Sequence, residues 1–129
     1  MSAILEKYNR AVSKFTTKSE FDEWLKVIGR SLKVKDTISI RCQENYIRGC
    51  KSNAWITIDQ SGKLLFDSTS DYTKGIGKIL VDVFNENAST IKIIDFRNIT
   101  QGLTREEIQG MSKMISRINT LLTNSKDSV

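Results

Sequence analysis

Between Ala54 and Phe66 the sequence reads AWITIDQSGKLLF. The run Ala54 to Ile58 is β-branched and aromatic, Lys63 to Phe66 is a second short run, and Asp59-Gln60-Ser61-Gly62 between them has the composition of a hairpin turn. Tyr46 and Ile47, just ahead of Gly49, add a third strand signal, so two hairpin connections follow one another. So few short strands are not stable bare in water and need helices over one face. A chain built around this segment is therefore α+β, a small three-stranded antiparallel sheet packed against helices.

The flanking sequence supplies those helices. Ile4, Tyr8, Ala11, Val12 and Phe15 recur at helical spacing between Ala3 and Phe15. Thr17 with Glu20 has the spacing of a capping box, in which a hydroxyl and a carboxylate each close a free backbone N–H, and Ser19 competes as the N-cap. The helix that follows has the apolar face Phe21, Trp24, Leu25, Ile28 and Leu32, and Gly29 fits a point where another backbone packs close. Thr37 to Arg41 alternates with β-branched residues and reads as an extended piece. After the sheet, the Ser, Thr and Asp cluster from Asp67 to Asp71 opens a helix that runs to about Phe84.

Ile91 to Phe96 is too short for its period to separate a helix from a strand. Thr104 with Glu107 forms a second capping box, and Ile108, Met111, Met114, Ile115, Ile118 and Leu121 make one helical stripe. The two methionines read as gap-filling core residues. The 129 residues are expected to form a single domain, 1–129, with a disordered polar tail from about Asn124.

Composition removes several functions. The chain has no histidine, which excludes Cys–His and Ser–His mechanisms and most catalytic zinc sites. Its two cysteines, Cys42 and Cys50, provide neither a disulfide framework nor a structural zinc site. No apolar run approaches the roughly 20 residues that cross a bilayer. The start, MSAILEKYNR, lacks the pattern of a secretory signal, so a cytoplasmic location is expected. The formal charge of +5 is spread among carboxylates with no basic block, so specific nucleic-acid binding is not expected, and an acidic protein partner fits the charge equally well.

What remains is thiol chemistry that needs no internal base. In NYIRGCKSNAWITI, Cys50 stands behind Gly49 and between Arg48 and Lys51. A neighbouring cation favours the thiolate, and residues two apart share a face in an extended segment, so Arg48 is expected to be the closer cation. Gly49 removes a side chain from the approach and permits a tight bend. The competing reading is that Cys50 is a small buried hydrophobe, as free cysteines mostly are. Cys42, with no glycine or turn beside it, reads as a structural thiol, or at most a surface thiol or an oxidation partner for Cys50.

The string Asn45-Tyr46-Ile47-Arg48-Gly49-Cys50-Lys51-Ser52 with Trp55 resembles the signature of the SufE family, sulfur acceptors of cysteine desulfurases. Ser70-Asp71 followed by Gly77, Leu103-Thr104 with Gly110 and Met114, and the Trp24 to Leu32 helix with Gly29 and Arg30 are similar to further family segments. The resemblance covers about Phe21 to Ile118. It implies helices on a three-stranded sheet related to the iron–sulfur scaffold fold, with Cys50 on the loop between the first two strands. Cys50 would take persulfide sulfur from the desulfurase and pass it on, for iron–sulfur cluster assembly or a dedicated sulfur-incorporation pathway.

On the same resemblance Gly49, Arg48, Lys51, Ser52 and Asp71 support the thiol, with Asp71 either capping its helix or orienting the cysteine loop. Ile47 and Trp55 would shelter the persulfide. The implied partners are a cysteine desulfurase, which the chain activates, and a downstream sulfur acceptor or cluster scaffold. The pyridoxal phosphate belongs to the desulfurase, so no cofactor or metal is expected here, nor any independent turnover. The alternative is a non-catalytic binding module of the same fold that regulates a desulfurase or acts as a scaffold. Departures stand at Glu107, Arg105, Gly102 and Ile76, where the family has Arg, Pro, His and Lys. Either docking onto the desulfurase has changed, or Glu107 serves as the third helical residue of the capping box.

Overall fold

A computed structural model of the chain describes residues 3–86 and 91–127. Its hairpin is built as the turn residues dictate. Strand β1 (Ala54–Ile58) pairs antiparallel with β2 (Leu64–Ser68), with Ala54 opposite Ser68 and Ile58 opposite Leu64. One carboxylate oxygen of Asp59 accepts the Ser61 and Lys63 backbone N–H groups at 2.9 and 3.0 Å, and Gly62 takes the φ of +88° that closes the turn. Ala54, Ile56, Leu64 and Phe66 alternate inward and are buried.

Helix α4 (Asp71–Glu86) is the central element, burying Ile76, Ile79, Leu80, Val83 and Phe84. On its other side lies α2 (Lys18–Arg30), which Thr17 opens with the complete capping box to Glu20, so Thr17 and not Ser19 is the N-cap. Gly29 and Gly75 let these two backbones touch: a Cβ on Gly29 would lie 1.9 Å from the Asp71 carbonyl oxygen, and one on Gly75 2.1 Å from that of Leu25. Helix α1 (Ala3–Val12) closes over this pair, and its Tyr8 hydroxyl donates to Asp82 at 2.7 Å. Helix α6 (Arg105–Asp127) brings Met111, Met114, Ile115 and Ile118 into the same core, where the two methionines fill space as expected.

The α+β class holds, with corrections in detail. The sheet has two strands among the described residues. The expected third is reduced to a single antiparallel bridge from Tyr46 to Trp55, with the Ile47 N–H donating to the Ala54 carbonyl at 2.9 Å. A turn of 3₁₀ helix at Gln43–Asn45 on one side and the bend at Gly49 on the other leave too few residues to pair. Thr37–Ile40 is not extended. It forms the short helix α3, because the Asp36 carboxylate caps it by accepting the Ser39 N–H at 3.0 Å.

The ambiguous stretch resolves into a 3₁₀ turn, Ile93–Phe96, running into α5 (Arg97–Thr100). Helix α6 continues to Asp127, past the point where the sequence suggests disorder, and the rest of that tail, Ser128 and Val129, lies outside the described residues. No helix among the described residues is long and apolar enough to cross a membrane.

Candidate functional site

Cys50 lies on the connection between the Tyr46 bridge and β1, as expected, but it is half-buried and packs against the core rather than standing free. Gly49 makes the bend in the left-handed region, φ +90°, that turns the thiol inward onto α6. There the Sγ meets the Gly110 carbonyl oxygen at 3.8 Å, and a Cβ on Gly110 would sit 3.8 Å from the sulfur, so the helix is thinned where the thiol arrives.

The thiol opens on a cavity of about 280 Å³ formed by the cysteine loop, α2, α4 and α6. Its apolar wall is Ile76, Met111 and Met114. The shelter therefore comes from two helices. Trp55, expected to supply it, is turned away: it stacks edge-on with Tyr46 at 6.0 Å and carries the Arg41 guanidinium on its face at 4.9 Å.

Electrostatics around Cys50 run against the sequence expectation. Burial pushes the thiol's pKa up, and the charge that opposes this is Lys113 from α6 rather than the adjacent Arg48. Lys113 went unnoticed in the sequence because only the fold brings it to the loop; its spacing from Gly110, one turn on, is the signal that a threaded helix face would have given. Arg48 is exposed in the turn, while Lys51 and Ser52 line the cavity.

Asp71 neither caps its helix nor reaches Cys50. The Thr73 N–H donates to the Ser70 hydroxyl at 3.3 Å, so Ser70 caps α4, and Asp71 pairs with Arg30 at 3.4 Å on the surface. Cys42 is a partly buried free thiol.

Glu107 answers to its own helix. It accepts the Thr104 N–H at 2.7 Å while its own N–H donates to the Thr104 hydroxyl at 3.2 Å, and Lys18 of α2 pairs with it at 3.2 Å. Burial tends to raise its pKa, but the Thr104 N–H, the Tyr72 hydroxyl and Lys18 together hold it below the usual carboxylate range. The Tyr72 hydroxyl is buried without a hydrogen bond of good geometry, yet it faces Glu107 and Asp22, and burial with these carboxylates raises its pKa. Of the other departures, Ile76 is buried in the cavity wall, and Gly102 receives the Lys18 ammonium on its carbonyl at 2.9 Å.

Behind the loop, Asp67 is fully buried and was not foreseen as important. Its carboxylate takes the Arg41 Nε at 2.6 Å and lies 3.8 Å from the Lys74 ammonium. That pairing holds Arg41 on Trp55 and so fixes the strand into which the cysteine loop runs.

Set beside known proteins, residues 7–122 match the family model SufE, described as an Fe-S metabolism associated domain. The curated proteins contain no match to the chain.

Proposed function

The chain belongs to the SufE family, a domain associated with Fe–S metabolism and sulfur transfer, and on that premise we propose that Cys50 is a carrier of persulfide sulfur. The observation that bears most weight is the site itself: a half-buried thiol on the lining of a cavity of about 280 Å³ that has Ile76, Met111 and Met114 on one wall.

The transfer is thiol–disulfide-type exchange. The Cys50 thiolate attacks the terminal sulfur of a persulfide on a cysteine desulfurase, the S–S bond breaks, and the desulfurase cysteine leaves as a thiolate that takes up a proton. A Cys50 persulfide results with no net change in oxidation state. The pyridoxal phosphate that cleaves the carbon–sulfur bond belongs to the desulfurase; this chain supplies the accepting thiol and its shelter, and turns nothing over alone. The carried sulfur then passes to a further acceptor or cluster scaffold.

Sheltering and reacting make opposite demands. In the free protein burial keeps the Cys50 thiol protonated, which protects it but slows attack. Docking on the desulfurase therefore loosens the loop and admits water to the sulfur, which favours the thiolate. The Glu107 carboxylate is engaged by Thr104 and Lys18, which supports a local capping role for this departure over a rebuilt docking contact.

The test is incubation with a cysteine desulfurase and cysteine, followed by intact-mass measurement. The wild type and Cys42→Ser are expected to gain one sulfur, about 32 mass units, and Cys50→Ser to gain none. Absence of the adduct with every desulfurase tried would overturn the carrier reading.

A further inference from the structure

Three residues on one face of α6 address the cysteine segment in turn. Gly110 meets Cys50 Sγ through its carbonyl, Lys113 lies against Gly49, and Arg117 donates to the Glu44 carbonyl in the 3₁₀ turn that precedes the loop. Positions three and four apart on a helix share a face, and helical side chains lean toward the N-terminus, so Lys113 leans back toward Gly110 and the thiol.

The seat of Lys113 is specific. A Cβ on Gly49 would fall 2.3 Å from the Lys113 ammonium nitrogen and 2.6 and 2.7 Å from its last two methylenes. The lysine thus occupies the volume that any side chain at position 49 would fill.

The other charged or titratable groups around the cavity are Asp22 and Lys26 from α2, Tyr72 from α4, Glu106 and Glu107 from α6 and Lys51 from the loop. Lys18 compensates both Asp22 and Glu107, at 3.0 and 3.2 Å. Lys26 and Lys51 also reach the cavity, but it is Lys113, seated against Gly49 beside Cys50, whose charge opposes the effect of burial on the thiol.

We propose that Lys113 is the positioning residue of the thiol, holding its ammonium across Gly49 so that the thiolate of Cys50 has a counter-charge as it forms. This rests on the reading of Cys50 as the reacting thiol and deepens it: the residue that sets reactivity comes from the last helix, not from the cysteine loop.

The test needs no desulfurase. In a Cys42→Ser background, alkylation of Cys50 by iodoacetamide is followed from about pH 5 to pH 12 for Lys113, Lys113→Met and Lys113→Arg proteins. Removing a nearby cation at the low end of its usual effect lowers the thiolate fraction at neutral pH about tenfold. The more basic thiolate is about threefold more nucleophilic. The expected Lys113→Met profile is therefore displaced to higher pH by about one unit and is about threefold slower near neutrality, with Lys113→Arg restoring the original curve.

Superimposed profiles for Lys113 and Lys113→Met would overturn the proposal. So would a rate changed by one factor with the midpoint of the profile unmoved, which is the mark of altered access rather than altered charge. A displaced profile in a protein that gains no sulfur from any desulfurase upholds the role of Lys113 and defeats the carrier reading, so the two fail separately.

Discussion

Gly49 serves two ends that any side chain would spoil at once. Its φ of +90° is costly for an L-residue, and its missing Cβ is the space in which Lys113 lies. Gly49→Ala is therefore expected to lose about 1–3 kcal/mol of stability in urea denaturation, and a variant as stable as the wild type would show that neither constraint is real. Asp67 is a second residue whose importance is electrostatic and hidden. With its carboxylate fully buried and held by Arg41 at 2.6 Å, Asp67→Ala removes one partner of an inward-facing ion pair and frees Arg41 from Trp55. Because Arg41 is partly exposed, the cost belongs near the lower end for such pairs, about 3 kcal/mol, measurable by the same unfolding experiment; a loss under about 1 kcal/mol would show that the pair is no more than a surface contact.

At the scale of elements, the start of α6 is tied to α2 by Glu107, and that tie has a definite pH dependence. The folded-state pKa of Glu107 is depressed, so its contribution is present above the unfolded carboxylate value of about 4.3 and is lost as pH falls through the lower folded value. Glu107→Gln is expected to be less stable at neutral pH and to lose less than the wild type between about pH 5 and pH 2, so that the two curves converge on acidification; parallel curves would contradict the assignment. Both capping boxes were readable from the sequence because a cap is decided within four residues, as Thr17–Glu20 and Thr104–Glu107 show. The helical faces were readable for the same local reason. The third strand is shorter than its residues suggest because strand length depends on what interrupts it, and the left-handed bend at Gly49 and the turn at Gln43–Asn45 leave only the Tyr46 bridge. Thr37–Ile40 shows the reverse error, where β-branched residues suggested extension but the Asp36 cap prevailed. At the site, the motif puts Cys50 on the loop ahead of β1, where it lies, yet sequence adjacency points to Arg48 as its cation because it cannot show that α6 crosses the loop and delivers Lys113.

Across the whole molecule, rigidity and freedom are distributed unevenly, and the thiol sits on the free side. The core is centred on α4, where Ile79, Leu80, Val83 and Phe84 are buried against both the hairpin and α2, and the Gly29 and Gly75 contacts leave those backbones no slack. The segment 48–52, by contrast, folds only into the turn at Arg48 and Gly49 and makes no backbone hydrogen bond to another element among the described residues. It is held at its ends by the Ile47 N–H on the Ala54 carbonyl and the Thr69 N–H on the Asn53 carbonyl, and in its middle by the sulfur on Gly110 and by Lys113. Releasing it gives up a few side-chain contacts, whereas releasing α4 unfolds the protein, so the two openings must differ widely in free energy. On the carrier reading proposed above, that difference would let one cysteine be sheltered at rest and delivered on docking without disturbing the fold. Amide hydrogen exchange of the free protein tests it directly: the amides of Arg48 to Ser52 are expected to exchange at least about a thousandfold faster than those of Ile79 to Val83, about 4 kcal/mol in opening free energy. If instead the loop is protected to the same degree as α4, the thiol leaves its cavity only by global unfolding, and a partner-drawn loop is ruled out as the way Cys50 reaches a desulfurase.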